Sequence, residues 1–283
     1  MVLSAVTPEI EPVIYSAITT KIVLVIEYSG TRYHGFQLQA NLPTVQGELE
    51  KAIWKLTGER LRVMAASRTD TGVHARGQVV SFRTGSAHTT QTFISGLNYY
   101  LPRDIAVKAA YGIHDSFNVR RDAVSREYQY HILNSVTRSP LKEGLFHHVS
   151  GRLEVDAMNQ ACQALIGKHD FASFASDIGP EIKSTVREIY RAEVKRNGEL
   201  VVVSMVANAF LPHQVRVTVG ALIRVGLGKM SGSEFSSIMN AKKSGLAGPT
   251  APAFGLYLMQ VNYASPFEEL ASINRDSIVK GEL

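Results

Sequence analysis

Apolar and polar side chains alternate over residues 21–29, a period of two that predicts a strand with one buried face. That face consists of Ile22, Leu24, Ile26 and Tyr28. From residue 44 the apolar positions recur at helical spacing, and we predict a helix that begins after the N-cap Thr44 and ends at Gly58. Its apolar stripe consists of Val45, Leu49, Ala52, Ile53 and Leu56. This part of the chain therefore begins with a strand and a helix.

The same part continues with two short strands, a second helix and a further strand. These elements are predicted at 61–66, at 78–83, from about residue 90 to Tyr100, and at 105–111. Pro102 cannot continue a helix and marks the end of the second one. The predicted order is β-α-β-β-α-β.

The order returns, more loosely, from residue 116 onward. It begins with a strand at 126–134 and a polar connection, whose His147-His148 pair we interpret as a solvated turn. A helix around Cys162, capped by Asp156, and strands at 185–196 and 200–208 follow. The last elements are a helix with Pro212 in its first turn that reaches Val225, a short helix with a Ser231–Glu234 capping box, and a strand at 255–263. Two units with one order of elements predict a related fold for both.

The predicted class is α+β, with two ferredoxin-like halves that share a mixed, mainly antiparallel sheet. Helices would cover one side of that sheet and leave the other open for a ligand. We expect an N-terminal extension at 1–20, an N-terminal half at 21–115, a C-terminal half at 116–263 and an acidic tail at 264–283.

Composition narrows the class of protein only partly. Of the 283 residues, 45% are hydrophobic and 19% charged, which suffices for one or two cores and rules out disordered, collagen-like and low-complexity classes. The formal net charge is +5, although the first twenty residues and the segment after Tyr263 are acidic. The positive excess in between fits a polyanionic partner and fits a solvated basic surface equally well.

Neither a membrane nor an oxidising compartment is indicated. No segment has the roughly 20 apolar residues that cross a bilayer. The first twenty residues contain Glu9 and Glu11 but no Lys or Arg, unlike a secretion signal, so we expect a cytoplasmic protein. The single cysteine, Cys162, excludes an intrachain disulfide, and its apolar neighbours at helical spacing predict a core position.

The sequence carries none of the familiar cofactor or metal motifs that we searched for. The segment 226–229, G-L-G-K, lacks the upstream glycine and the following Ser or Thr of a phosphate-binding loop. A G-x-S-x-G elbow and an H-E-x-x-H pair are also missing, and the nine histidines do not cluster with acidic residues at ligand spacing. We therefore expect neither a metal nor a small-molecule cofactor.

Reactive side chains concentrate in residues 65–78, between two predicted strands. This segment contains Arg68, Arg76, His74, the single carboxylate Asp70 and two glycines. Loops held by a rigid sheet commonly carry function. Two interpretations stand: a turn closed by a surface ion pair between Arg68 and Asp70, or a carboxylate kept ionised beside arginine and able to act as a nucleophile.

Nine segments between about residues 21 and 263 resemble the TruA family of tRNA pseudouridine synthases, in order and with family-like spacing. They are Y-S-G-T-R-Y-H-G-F-Q at 28–37, T-V-Q-G-E-L-E at 44–50, R-T-D-T-G-V-H-A at 68–75, F-N-V-R at 117–120, R-E-Y-Q-Y at 126–130, D-F-A-S-F at 170–174, N-A-F-L at 208–211, V-R at 215–216 and A-P-A-F-G-L-Y-L at 251–258. The sequence departs from the common pattern at Ser67, usually glycine, and at Gln214, frequently methionine. We expect Ser67 to tighten or shift the loop, because serine lacks the freedom of glycine at positive φ.

The resemblance implies an activity and a set of roles. The family converts uridine to pseudouridine on the 3′ side of the tRNA anticodon stem-loop, at positions 38–40, as a homodimer that needs no metal or cofactor. Asp70 matches the essential aspartate, which acts on the ribose so that the base detaches at N1, turns and rejoins through C5. Tyr128 matches a tyrosine that stacks on the target uracil, Arg216 the arginine that pairs with the carboxylate, and Arg68 an arginine linked with displacing the target base.

Several of these residues have simpler interpretations. Tyr128 and Tyr130 lie on one face of a predicted strand, so one or both fit ordinary core aromatics, and Arg216 taken alone fits a solvated helix position. His74 fits a residue that structures the loop or contacts RNA. Cations outnumber acids between 116 and 152, and we hypothesise that part of this set contacts phosphates. The set comprises Arg120, Arg121, Arg126, Arg138, Lys142 and Arg152.

Two other functions compete with the synthase. A non-catalytic RNA-binding protein with two RRM-like units would share the order of elements, but the nearest RNP1-like segment has Gln78 and Val80 where aromatic residues are needed. A hydrolase with paired carboxylates needs a second acid near Asp70, and its loop contains none, while Asp170 and Asp177 are distant in sequence.

Overall fold

The computed structural model describes residues 19–271, with the exception of 177 and 181. Most of both expected extensions, at 1–18 and 272–283, and Asp177 therefore lie outside the described residues. The strands are β1 (Thr20–Tyr28), β2 (Met64–Ala65), β3 (His74–Thr84), β4 (Ile105–Ile113), β5 (Ala123–Asn134), β6 (His147–Val149), β7 (Gly167–Asp170), β8 (Val186–Asn197), β9 (Leu200–Ala207) and β10 (Leu256–Tyr263). The α-helices are α1 (Val45–Thr57), α2 (Thr90–Tyr100), α3 (Val155–Gln163), α4 (Gln214–Gly226) and α5 (Gly232–Ala241).

All of these strands belong to one open sheet. Eight of them follow the order β4-β1-β3-β10-β5-β9-β8-β7, while β2 also pairs with β3 and β6 with β5. The pairs β3–β10 and β5–β6 are parallel and the remaining pairs are antiparallel. Helix α2 packs on β4 and α1, and α3 packs on β8 and α4. The α+β class and the large, mostly antiparallel sheet are therefore confirmed.

Local capping chemistry sets the ends of several helices. The Thr44 side chain accepts a hydrogen bond from the Gly47 N–H at the start of α1, and Gly58 ends this helix in the left-handed region at φ 76°. Ser231 and Glu234 form the complete capping box of α5. These predicted helix ends are confirmed.

The joint between β3 and β10 differs from the predicted strand pattern. Strand β2 has two residues instead of the predicted six at 61–66, and β3 begins four residues earlier than predicted. Strand β2 pairs with the later part of β3, at Val80 and Ser81, whereas β10 pairs with its first two residues, His74 and Ala75. One edge of β3 therefore serves two neighbours in succession.

A column of stacked rings covers this joint. The ring centroids of His74 on β3 and Tyr257 on β10 lie 4.6 Å apart, and those of Tyr257 and His131 on β5 lie 4.5 Å apart. Phe146 extends the column beyond His131 at 5.5 Å. Burial and the positive charge of Arg76 lower the pKa of His131 to about 4, so this ring stays neutral in the folded protein at neutral pH.

Two helix starts in the second part of the chain were predicted wrongly. Glu154, and not Asp156, occupies the N-cap of α3, and Asp156 lies inside the first turn, where its charge favours the helix N-terminus. Helix α4 begins at Gln214, so Pro212 precedes the helix. His213 between them has φ 57°, and this left-handed backbone interrupts a helical path from Pro212.

The interpretation of His147-His148 as a solvated turn was also wrong. Both residues lie in β6, which pairs in parallel with 132–134 of β5, and both are half-buried. The His148 Nε2 lies 2.8 Å from the Ser135 carbonyl oxygen. Alternation is undetectable over three residues, so the period of the sequence could not indicate this strand.

The core position of Cys162 is confirmed. Its side chain is fully buried, and burial raises the pKa of the thiol to about 12. Among residues 19–271, leaving aside 177 and 181, no helix is long and apolar enough to cross a membrane.

Candidate active site

The loop between β2 and β3 is held by the segment that follows β1. The Thr69 hydroxyl hydrogen-bonds to the buried Tyr28 hydroxyl at 2.8 Å, and the Thr69 carbonyl accepts from the Phe36 N–H at 3.0 Å. Within the loop, the Val73 N–H donates to the Asp70 carbonyl. These contacts fix the backbone around Asp70, whose side chain remains 34% exposed.

Asp70 forms an ion pair with an arginine from the far end of the chain. Arg216 Nη1 lies 3.0 Å from Asp70 Oδ2, and Arg216 Nε donates to the Ala251 carbonyl at 2.9 Å. Helix α4 approaches residues 249–251 closely because Gly220 has no side chain: a Cβ there would lie 2.0 Å from the Pro249 carbonyl oxygen. The guanidinium is therefore aimed at the carboxylate by a backbone contact.

Sequence reasoning missed His213, which also reaches Asp70. Its Nε2 lies 3.4 Å from Asp70 Oδ2, and its Nδ1 lies 2.5 Å from the Ser176 hydroxyl oxygen. The available signal was its spacing: His213 precedes Arg216 by three residues at a helix start, so both side chains fall on one side of the helix.

Tyr128 and Tyr130 have different surroundings. The Tyr128 hydroxyl shares a hydrogen bond with the Ser67 hydroxyl at 3.1 Å, and its ring packs edge-on against Phe210 with centroids 5.3 Å apart. Burial raises the pKa of Tyr128 to about 12, so the phenol is protonated at neutral pH. Tyr130 is fully buried and donates to the Pro252 carbonyl, as an ordinary core aromatic does.

A cavity of about 430 Å³ brings these groups together. Asp70, Tyr128, Arg216 and His213 line it, and so does the exposed Arg68. Arg120 also lines the cavity, and burial together with the Arg68 charge lowers the pKa of the Arg120 guanidinium. None of the ion pairs among the described residues involves Arg68, so the surface pair with Asp70 does not form.

Arg126 was predicted to contact RNA, but its guanidinium is occupied by backbone carbonyls. Nη1 donates to Asn208 at 2.8 Å and to Ala123 at 3.2 Å, and Nη2 donates to Arg120 at 2.8 Å and to Ala66 at 3.4 Å. The residue is 9% exposed. Arg126 therefore joins the ends of strands and loops, and its contact with a phosphate stays a prediction.

His74 belongs to the scaffold of the loop. The residue is 1% exposed, and its Nδ1 accepts a hydrogen bond from the Gly30 N–H at 3.1 Å. Its Nε2 lies 3.2 Å from the Gly144 carbonyl and 3.0 Å from that of Phe254. Both ring nitrogens are thus engaged with the backbone, as the loop-structuring alternative requires, and an RNA contact of His74 stays a prediction.

The two departures from the common pattern fit without backbone strain. Ser67 is not among the described residues at positive φ, so serine is not strained at this position. Its backbone instead forms two hydrogen bonds with the Gln78 side chain. Gln214 is fully buried and accepts from the Leu211 N–H at 2.8 Å.

Within the part of the chain that the structure describes, no group of three or more His, Cys, Asp or Glu side chains is arranged to hold a metal ion. The nearest ionic groups to Asp70 are Arg216 and His213, and neither adds a carboxylate.

Comparison with known proteins identifies the class. A family model described as tRNA pseudouridine synthase matches residues 24–120 and 161–264. A tRNA pseudouridine synthase A from Thermoanaerobacter sp. (strain X514) is 41% identical over 242 residues, covering 86% of this chain and 99% of that protein. The protein of that name from Roseiflexus castenholzii is 47% identical over 246 residues, covering 86% and 90%, and that from Legionella pneumophila (strain Corby) is 41% identical over 247 residues, covering 87% and 94%.

These matches define an isomerase that acts on tRNA. The chain belongs to the family of tRNA pseudouridine synthases, which confirms the resemblance found in the sequence. A solved structure, a dye-decolorizing protein from V. cholerae, covers 89% of this chain and 95% of its own at 12% identity and a TM-score of 0.18, a level at which no conclusion about fold or function follows.

Proposed function

We propose that this protein isomerises uridine to pseudouridine on the 3′ side of the tRNA anticodon stem-loop, at positions 38–40. The observation that carries the proposal is the carboxylate of Asp70, held 3.0 Å from Arg216 in a cavity whose wall includes Tyr128. A non-catalytic RNA-binding module needs no such partly buried pairing of a carboxylate with an arginine.

The target uridine must leave its stack before it reaches this cavity. Extruding a base costs a few kcal/mol, and stacking on an aromatic ring returns about 1–3 kcal/mol, which is the contribution we assign to Tyr128. Arg68, exposed at the cavity, would help to displace the base, and Arg120 beside it would contact phosphates. Both cations lie where the RNA backbone would approach.

The reaction exchanges one glycosidic bond for another. Asp70 acts on the ribose, the N1–C1′ bond breaks, the uracil turns, and a C5–C1′ bond forms. The proton lost from C5 balances the proton gained at N1, so the product is an isomer and needs no oxidant, reductant or water. A protonated Tyr128 hydroxyl next to Ser67 stands at this site to assist the transfer of the C5 proton.

The architecture supports a two-half organisation. We assign 21–115 and 116–263 to ferredoxin-like halves that share one sheet, with helices on one side and an open RNA-binding cleft. Strand orders β4-β1-β3-β2 and β10-β5-β9-β8 support this assignment, because each repeats the 4-1-3-2 order of such a unit. Asp70 would come from the first half, and Tyr128 and Arg216 from the second.

We further propose that the enzyme works in the cytoplasm as a homodimer without a metal or a cofactor. Both copies would contribute surface to one tRNA, so a verified monomeric variant should bind tRNA more weakly. Equal affinity of such a monomer would count against the dimer while leaving the chemistry untouched.

The replacement Asp70→Asn tests the central proposal. The variant should lose pseudouridine formation in an anticodon stem-loop transcript and keep tRNA affinity within about threefold, because the amide preserves shape but cannot act as a nucleophile. Carbodiimide mapping of the treated RNA measures the product at each position. Asp115→Asn is the matched control, since this exposed carboxylate pairs with Arg83.

Two outcomes contradict the proposal in different ways. Full activity of the Asp70→Asn enzyme removes this carboxylate from the mechanism. Pseudouridine formed in a T-arm hairpin but not in the anticodon stem-loop would support the proposed reaction and contradict the proposed target site.

A further inference from the structure

The carboxylate of Asp70 is held on one of its two oxygens only. Arg216 Nη1 lies 3.0 Å from Oδ2, and His213 Nε2 lies 3.4 Å from the same oxygen. Among the residues that the structure describes, Asp70 accepts a side-chain hydrogen bond on Oδ2 and none on Oδ1. We propose that His213 is a positioning residue, which together with Arg216 fixes Oδ2 so that Oδ1 meets the ribose. This inference rests on the proposed role of Asp70.

The second ring nitrogen of His213 determines which form of the imidazole can do this. Ser176 Oγ lies 2.5 Å from His213 Nδ1, and a hydroxyl that donates to Nδ1 leaves the ring proton on Nε2. A proton on Nε2 would then lie at the ring nitrogen that is 3.4 Å from Asp70 Oδ2. We assign the donor role in this contact to the Ser176 hydroxyl, which then favours the tautomer with its proton on the nitrogen nearest Asp70.

The backbone of His213 has a conformation that is unfavourable for its residue type. His213 has φ 57° and ψ 2°, a left-handed conformation that costs energy in residues other than glycine and that asparagine adopts more readily than most. Such strain persists where surrounding contacts hold the residue in place. Here those contacts are the ones on both ring nitrogens.

The separation of 3.4 Å between His213 Nε2 and Asp70 Oδ2 is long for a hydrogen bond. Contacts of catalytic groups are often long in the free enzyme and shorten in the complex. Asp70 and His213 are both partly exposed to the cavity, with 34% and 26% of their side chains accessible. A flipped nucleotide that fills the cavity would remove water from this contact and strengthen it.

Two amide variants separate the contact from the backbone requirement. The amide of His213→Gln can place an N–H near the position of Nε2, whereas the shorter amide of His213→Asn reaches only the position of Nδ1. Asparagine suits the left-handed backbone better than glutamine. A purely structural role therefore favours the Asn variant, and the proposed contact with Asp70 favours the Gln variant.

The measurement is single-turnover pseudouridine formation on an anticodon stem-loop transcript, with tRNA affinity and thermal melting recorded for each variant. We expect the Gln variant to retain the maximal rate within about threefold and the Asn variant to lose about tenfold or more, the size of a hydrogen bond to a charged group. The concentration of RNA giving half-maximal rate should stay constant. His88→Gln, an exposed histidine remote from the cavity, is the matched control.

Ser176→Ala leaves the backbone of His213 untouched and provides the second test. It should lower the maximal rate about threefold or more at unchanged tRNA affinity, because the tautomer is no longer fixed. An Asn variant as active as the Gln variant, equal loss in both, or a change in affinity alone overturns the proposal, as does an unchanged Ser176→Ala enzyme. If the Asp70→Asn enzyme is active, the proposed function itself fails, whatever the ranking at His213.

Discussion

Strand β2, which comes after α1, and strand β8, which comes after α3 and β7, each form an antiparallel pair with the next strand, yet β2 has two residues and β8 has twelve. Strand β8 pairs with β9 from Ile189 to Asn197, and β7 pairs with the other edge of β8 at 186–189. Strand β2 ends early, so the chain leaves the sheet at residue 66 and returns at His74. Asp70 is therefore exposed to the cavity because the ladder of backbone hydrogen bonds between β2 and β3 is interrupted beside it.

Side chains replace the missing ladder. The Gln78 amide accepts from the Ser67 N–H at 3.2 Å and donates to the Ser67 carbonyl at 2.7 Å, the two bonds that a partner strand would make. Arg126 then links the Ala66 carbonyl to the carbonyl of Asn208 across the joint. The interrupted region is therefore held by specific side chains, whereas the β8–β9 region is held by its backbone.

The joint itself should be the most sensitive place. A Cβ at Gly77 would lie 2.5 Å from the Met259 carbonyl oxygen, so Gly77→Ala forces β3 and β10 apart. We expect the free energy of unfolding to fall by about 3 kcal/mol and activity to be lost, because a backbone carbonyl cannot move aside as a flexible side chain can. Urea denaturation measures the change. Gly232→Ala, where a Cβ meets open space, is the control and should be neutral or slightly stabilising.

Loss of the hydrogen bonds from the Arg126 guanidinium to backbone carbonyls should have the next largest effect. Arg126→Met leaves backbone carbonyls without their donor, and we expect the free energy of unfolding to fall by about 2 kcal/mol. Arg126→Lys keeps the charge but not the planar fork, so its stability should lie between. A variant with unchanged unfolding and weaker, less salt-dependent tRNA binding would instead support the phosphate contact predicted from the sequence.

The ring column over the joint should make stability depend on pH. An unfolded histidine takes up a proton near pH 6.5, whereas the pKa of His131 in the folded protein is about 4, so the unfolded state binds more protons between these values. The free energy of unfolding should therefore decrease as the pH falls from 6.5 to 4, by about 1 kcal/mol for this partly exposed ring. His131→Phe keeps the stacking with Tyr257 and should remove this share of the pH dependence. Identical pH profiles of the variant and the parent protein would contradict this contribution of His131.

Local chemistry in the sequence was sufficient for much of the fold. Thr44, Gly58 and the Ser231–Glu234 pair act on their own helix ends, so their patterns predicted these ends correctly. The length of β2 depends instead on Gln78 and Arg126, which compete for backbone groups from other strands. No periodicity in residues 61–66 carries that information.

The predictions for the site likewise differed according to whether they depended on local sequence or on distant contacts. Resemblance to a family pointed to Asp70, Tyr128 and Arg216, and the structure brings all three to one cavity. The engagement of Arg126 and His74 with backbone carbonyls, and the approach of His213 to Asp70, depend on contacts between residues that are up to 180 positions apart. The residue type alone does not show whether a guanidinium is available to bind a phosphate or donates its hydrogen bonds to four backbone carbonyls.

The partners of Asp70 also determine when a newly made chain becomes reactive. The ribosome adds Asp70 early, but it adds His213 and Arg216 only after another 143 and 146 residues, and the Ala251 carbonyl that aims Arg216 later still. Until those residues are added, Asp70 lacks both ion-pair partners that hold its Oδ2 in the folded protein. The paired carboxylate can therefore form only after α4 has been synthesised.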